Sequence, residues 1–101
     1  MAQRPNPVQQ FLARLDRALG EDRVVVLEDA RDYAIRDFGW EIEDIFAFLY
    51  VLDAQDFSEH VPSTAPEGGT IWIFLPMSAT GRIWVRLCER NNIYLLSFHR
   101  G

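Results

Sequence analysis

The sequence predicts an α+β fold: N-terminal helices packed on a small antiparallel β-sheet that ends in a C-terminal β-hairpin. Three observations predict it. Residues 81–90 and 93–100 alternate apolar and polar side chains on either side of Asn91-Asn92, the pattern of two strands joined by a tight turn. Ile42, Ile45, Phe46, Leu49 and Leu52 recur at helical spacing. The helical segments come first and the strands last, as in α+β chains. The 101 residues suffice for one hydrophobic core, so residues 1–101 read as a single domain.

Taken in order, Pro5 and Pro7 precede a helix over residues 8–19 with Phe11, Leu12, Leu15 and Leu19 as its apolar stripe, ended by Gly20. Residues 23–27 are short and β-branched, either a strand or the lead into the next helix. A second helix is predicted over residues 28–37, with Ala30, Tyr33 and Ala34 inward and Gly39 as its breaker. The third, residues 41–52, carries Glu41, Glu43 and Asp44 in its first turn, where the helix dipole favours acids. Residues 53–61 read as one more helical turn and residues 62–69 as a Pro/Ser/Thr/Gly loop. Residues 70–75 form a strand apolar on both faces, hence central or covered. Residues 76–80 turn the chain into the hairpin.

A two-residue turn at Asn91-Asn92, of a kind that tolerates positive φ, sets Arg90 opposite Ile93, Cys88 opposite Leu95, Arg86 opposite Ser97 and Trp84 opposite His99. Strand alternation then gives Ile83, Val85, Leu87, Tyr94, Leu96 and Phe98 to the core. The wet face receives Arg82, Trp84, Arg86, Arg90, Ser97 and His99. Guanidiniums, a stacking ring and an imidazole on one wet face suit a polyanion with bases.

Composition narrows the function classes. With 49% hydrophobic and 13% aromatic residues the chain is a packed globule. All ten basic residues are arginine, which removes lysine nucleophiles and Schiff bases. The net charge of −5 argues against indiscriminate nucleic-acid binding. It is uneven: residues 1–60 hold 13 acids and 6 arginines, residues 61–101 hold 2 acids and 4 arginines. An anion is therefore expected on the C-terminal half. No apolar run spans a membrane, and the opening residues lack a secretory apolar segment. The single cysteine, Cys88, suits a reducing compartment, so the expectation is a cytoplasmic protein with no membrane association. No metal is predicted, since the two histidines and one cysteine form no short ligand pair. No cofactor is predicted, and Gly68-Gly69 reads as a turn and not as a nucleotide cradle.

Several short pieces stand in a familiar order: Phe38-Gly39-Trp40-Glu41, Leu52-Asp53-Ala54-Gln55-Asp56-Phe57, Thr70-Ile71-Trp72, the Gly81 hairpin and the closing Leu96-Ser97-Phe98. In this order and spacing, from about Val24 to the C-terminus, the chain resembles MqsR-type toxins of bacterial type II toxin–antitoxin systems, which have the RelE-like fold. The resemblance implies a cytoplasmic, metal-independent endoribonuclease, an mRNA interferase neutralised by a cognate antitoxin, with mRNA as substrate and the ribosome as a further candidate partner. The family's polar positions are substituted here. Glu59 stands where the family has lysine, Ile73 where it has glutamine, Trp84 where it has tyrosine and His99 where it has lysine; Arg86 matches a neighbouring basic position.

Metal-free RNA cleavage needs a base for the 2′-hydroxyl, a cation for the phosphorane, an acid for the leaving oxygen and a platform for the bases. The residues assigned are His99 as acid or base, Arg86 as the phosphate-binding cation, Glu59 or His60 as the second proton-transfer group, and Trp84 as the stacking ring, with Arg82, Arg90 and Arg100 as further phosphate contacts. By alternation Arg100 points to the core side. Each has a plainer reading: Trp84 as packing, His99 as a solvated terminal residue, the hairpin arginines as guards against edge aggregation, Glu59-His60 as an exposed pair, and Cys88 as a small filler. Two functions compete with the ribonuclease: a catalytically weak or inactive MqsR-like domain that binds a protein partner, and an RNA-binding domain that does not cleave.

Overall fold

The first helix is fixed by its start. Asn6 caps it, its side-chain oxygen accepting the Gln9 N–H at 2.8 Å, and Pro7 occupies the first turn, where a missing N–H costs nothing. In the computed structural model, which describes residues 6–79 and 81–100, this helix, α1, spans Pro7–Gly20. Pro5, the rest of the N-terminal segment and Thr80 lie outside the described residues. Helix α2 spans Glu28–Phe38 and stops at Gly39, which takes the left-handed conformation at φ 67°. Helix α3 spans Ile42–Tyr50. Its start is a reciprocal cap: the Glu41 side chain accepts the Asp44 N–H, and the Asp44 carboxylate accepts the Glu41 N–H at 2.9 Å.

The strands are β1 (Val24–Val26), β2 (Phe57–Pro62), β3 (Thr70–Phe74), β4 (Met77–Ser78), β5 (Gly81–Glu89) and β6 (Ile93–Arg100). They pair in the order β1-β6-β5-β3-β2, with β4 folding back on β5. The fold is α+β, as predicted, and β3 is an interior strand, between β5 and β2. The sheet is mixed, not purely antiparallel, because Val24–Val26 forms a strand that runs parallel to β6. Residues 53–61 also differ from the expected helical turn: only Ala54–Asp56 forms a 3-10 turn, and the chain then enters β2. This edge strand is mostly exposed and ends on Pro62, so it lacks the apolar alternation that marks a strand in sequence.

All three helices lie against one sheet face. Phe11, Leu15, Ala18, Ala30, Ala34, Ile45 and Leu49 close over Trp72, Phe74, Ile83, Val85, Leu87, Leu95 and Phe98. Phe11 stacks on Trp72 with ring centroids 4.6 Å apart. Because the buried residues of the described helices all belong to this core, none of these helices buries its apolar side chains against the opposite sheet face, and only Tyr33 of α2 reaches its edge, beside His99. Tyr33, expected inward, is 43% exposed. Ala30 and Ala34 alone face the core from that part of α2, and their small size brings the helix close to β6.

The hairpin departs from a two-residue turn and then corrects itself. Glu89 pairs with Ile93, so Arg90, Asn91 and Asn92 form the loop. Among the described residues Asp22 is the only non-glycine with positive φ, so neither asparagine supplies a left-handed turn. Near the tip the pairs are shifted by one, with Leu87 opposite Leu95 and Cys88 opposite Tyr94. A bulge at Leu96 absorbs the extra residue, and Arg86 opposite Ser97 and Trp84 opposite His99 return to the expected register. Hence Ile93 and Leu95 fill the core positions that alternation assigned to Tyr94 and Leu96, which are only half-buried.

Candidate nucleic-acid interface on the open sheet face

The open face is organised by rows across the sheet. Glu59, Ile73, Arg86 and Ser97 are successive partners on β2, β3, β5 and β6, and side chains at paired positions share a face. Two pairs further along the hairpin, on the same face, lie Trp84 and His99. Arg86 is half-buried and donates from Nη1 to Ser97 Oγ at 3.3 Å, which holds the guanidinium over β6. Arg86 and His99 are diagonal neighbours, about 7–8 Å apart at their backbones. The Trp84 and His99 rings are nearly parallel, at 12° and 6.4 Å between centroids.

The His99 ring is oriented by its own chain. Nδ1 lies 2.8 Å from the Arg100 carbonyl oxygen. A carbonyl can only accept, so Nδ1 carries the hydrogen, and in the neutral ring Nε2 keeps its lone pair. Tyr33 of α2 lies beside it, with ring centroids 5.6 Å apart, and the Arg36 guanidinium sits 5.4 Å from the Tyr33 ring centre. The site therefore gains a phenol and a last-turn arginine of α2 that sequence reasoning did not assign to it. Only the Tyr33–Arg36 pairing had a signal in sequence: the two are three residues apart on a helix, on a flank offset from the Ala30–Ala34 stripe.

The remaining candidates are not gathered there. Glu59 shares the face but stands two strands from Arg86, roughly 10 Å away at strand spacing, and β6 with His99 is one strand further. His60 is on the other face, stacked on Trp72 at 4.9 Å between centroids. Strand pairing puts Glu59 and His60 on opposite sides, which a helical turn would not have done. Arg82 is two residues from Trp84 on β5, but its guanidinium is engaged by the Leu75 carbonyl, to which it donates at 3.1 Å. Arg90 sits at the hairpin tip, its Nε donating to the Gly68 carbonyl at 2.8 Å and its guanidinium over Tyr94. Arg100 is on the helix side, as alternation required, over the Phe38 ring and donating to the Asp37 carbonyl at 3.3 Å.

Cys88 is fully buried, although it shares the open face. The loop of residues 63–69 covers it: a β-carbon on Gly69 would lie 3.4 Å from its sulfur. No helix among the described residues is long and apolar enough to cross a membrane, and no group of three or more His, Cys, Asp or Glu among them could hold a metal ion. In comparison with known proteins, no family model matches the sequence and no curated protein matches it.

Proposed function

We propose that the chain is a metal-independent endoribonuclease of the toxin–antitoxin kind, RelE-like and similar to MqsR toxins, that binds single-stranded mRNA on the open sheet face and is neutralised by a cognate antitoxin. The observation that carries this reading is the shared placement of Arg86 and His99 on the sheet face opposite the core of the described helices, with Trp84 opposite His99.

In this reading Arg86 binds a non-bridging phosphate oxygen and offsets the charge that develops on phosphorus. His99 Nε2 takes the proton of the ribose 2′-hydroxyl. The 2′-oxygen attacks phosphorus, the bond to the 5′-oxygen breaks, and that oxygen takes a proton from the Tyr33 hydroxyl, leaving a 2′,3′-cyclic phosphate and a 5′-hydroxyl. Trp84 stacks a neighbouring base. Tyr33 replaces Glu59 and His60 in the acid role, because it stands beside His99 and they do not.

Expression without a partner is expected to arrest growth and to leave transcript fragments with cyclic phosphate ends. His99→Ala is expected to slow cleavage by ~10²–10⁴-fold and Arg86→Ala by ~10²–10³-fold. If either variant is as toxic as the parent chain, the site is wrong. A second reading, an inactive protein-binding relative, draws on the loss of the family's polar residues at Glu59, Ile73 and Trp84. Stable capture of the product of an adjacent small gene, with neither arrest nor fragments, selects it. Salt-sensitive RNA binding without fragments selects a non-cleaving RNA-binding domain.

A further inference from the structure

At the tip of the hairpin, away from His99, α1 and the β5–β6 loop enclose a cleft of about 170 Å³. Its walls are Arg14 and Arg17 of α1, Arg23 just before β1, and Glu89, Arg90 and Asn91 of the hairpin, over a floor of Ile93. Three of the four arginines come from the half of the chain that is acidic in sequence. The fold thus assembles a cationic site that no segment displays alone.

The parts are held in place. Arg14 forms a two-pronged pair with Glu89, Nε to Oε2 at 2.5 Å and Nη2 to Oε1 at 2.9 Å. Arg23 is paired with Glu21 at 2.6 and 3.0 Å, and its backbone carbonyl accepts the Ile93 N–H at 3.1 Å. Arg90 spends only Nε, on Gly68. Arg17 has no hydrogen-bond or ion-pair partner among the described residues. Asn91 accepts the Asn92 N–H on Oδ1 at 2.9 Å, which leaves its amide hydrogens as donors. The two carboxylates each neutralise one arginine, so four guanidiniums against Glu89 and Glu21 leave a surplus of positive charge with unspent N–H groups. Of the carbonyls at the end of α1, which would repel an anion, those of Arg17, Ala18 and Leu19 are occupied by the N–H groups of Glu21, Asp22 and Arg23.

We infer that this cleft is a binding site for a phosphate group. Planar guanidiniums bind tetrahedral phosphate through paired hydrogen bonds. A volume of about 170 Å³ is below the ~300 Å³ at which pockets begin to enclose drug-sized ligands, so the cleft takes the phosphate and not an attached base. The inference stands on the cleft alone and is independent of the ribonuclease reading.

The test is a titration of the folded protein with inorganic phosphate, read by NMR at the arginine Nε–H resonances. The expected result is a saturable shift at Arg14, Arg23 and Arg90 that weakens at least ~tenfold in Arg17→Gln, the loss of one charge-assisted contact, and is unchanged in Arg31→Gln, an exposed arginine of α2. A second arm compares short single-stranded RNAs with a 5′-phosphate or a 5′-hydroxyl. Tighter binding of the phosphorylated strand, erased by Arg17→Gln, names a strand end as the source; a response to inorganic phosphate alone names a free anion. No saturable shift in either arm, or equal weakening by Arg17→Gln and Arg31→Gln, overturns the assignment.

Discussion

Trp72 is 5% exposed, and its indole N–H has no acceptor among the described residues. Its value to the fold is therefore its ring, held between Phe11 and His60, while the buried N–H is a liability. Trp72→Ala is expected to cost ~3–5 kcal/mol by opening a cavity, and Trp72→Phe less than half of that, because it removes the orphan donor along with part of the ring. Urea midpoints of the two variants check this. Asp16 shows the same principle with a charge. Partial burial raises its pKa above the ordinary carboxylate value, so the folded chain holds that proton more tightly than the unfolded one. The resulting stability is complete below the unfolded value and is lost as pH rises through the raised folded value. Asp16→Asn is expected to be slightly more stable than the parent chain at neutral pH, with the gap closing under acid conditions; thermal melts across pH read this directly. The gap is small because the group is largely solvated.

Gly69 is the position where an element depends on one missing atom. At φ 96° a β-carbon there would sit 2.6 Å from the Glu89 carbonyl oxygen and from the Arg90 side chain. Gly69→Ala is expected to cost ~1–3 kcal/mol of backbone strain and to lift the 63–69 loop off Cys88, so that a thiol reagent inert toward the parent protein labels the variant. Among the elements, the three helices and the hairpin strands were legible in sequence because periodicity and punctuation agree there: Pro7 opens α1, Gly39 ends α2, and Ile45 and Leu49 share a face. Strand β2 was not legible. Its contacts are with β3, a partner eight or more residues away, and local pattern does not encode an exposed edge. The Arg86–Ser97 and Trp84–His99 pairs were read correctly from a turn that does not exist in that form, since the bulge compensates for the longer loop. The Tyr33–His99 contact was illegible because it depends on where α2 lies against β6, which only tertiary packing decides.

On the scale of the molecule, the radius of gyration of 13.3 Å matches that of a single domain of this length, and charge is sorted over its surface. Arginines of the N-terminal half reach both regions: Arg14, Arg17 and Arg23 join the hairpin tip, and Arg36 lies over the Tyr33 ring beside His99. The overall charge stays at −5, so RNA held on the open face meets few cations. Its affinity is expected to fall only gently with salt, with a log–log slope on the order of −1 to −2 for two phosphates at ~0.7 each; filter binding over a salt series measures it, and a much steeper slope means the strand runs over a larger basic track. One last property follows from Leu96. Excising that single residue would leave every other rung of the β5–β6 ladder matched and every side chain on its present side, yet the ribbon would lose the extra coil the insertion imposes. The roster of groups on this surface and the curvature with which they are presented are thus set by separate parts of the sequence, so lineages can reshape the surface without changing its residues.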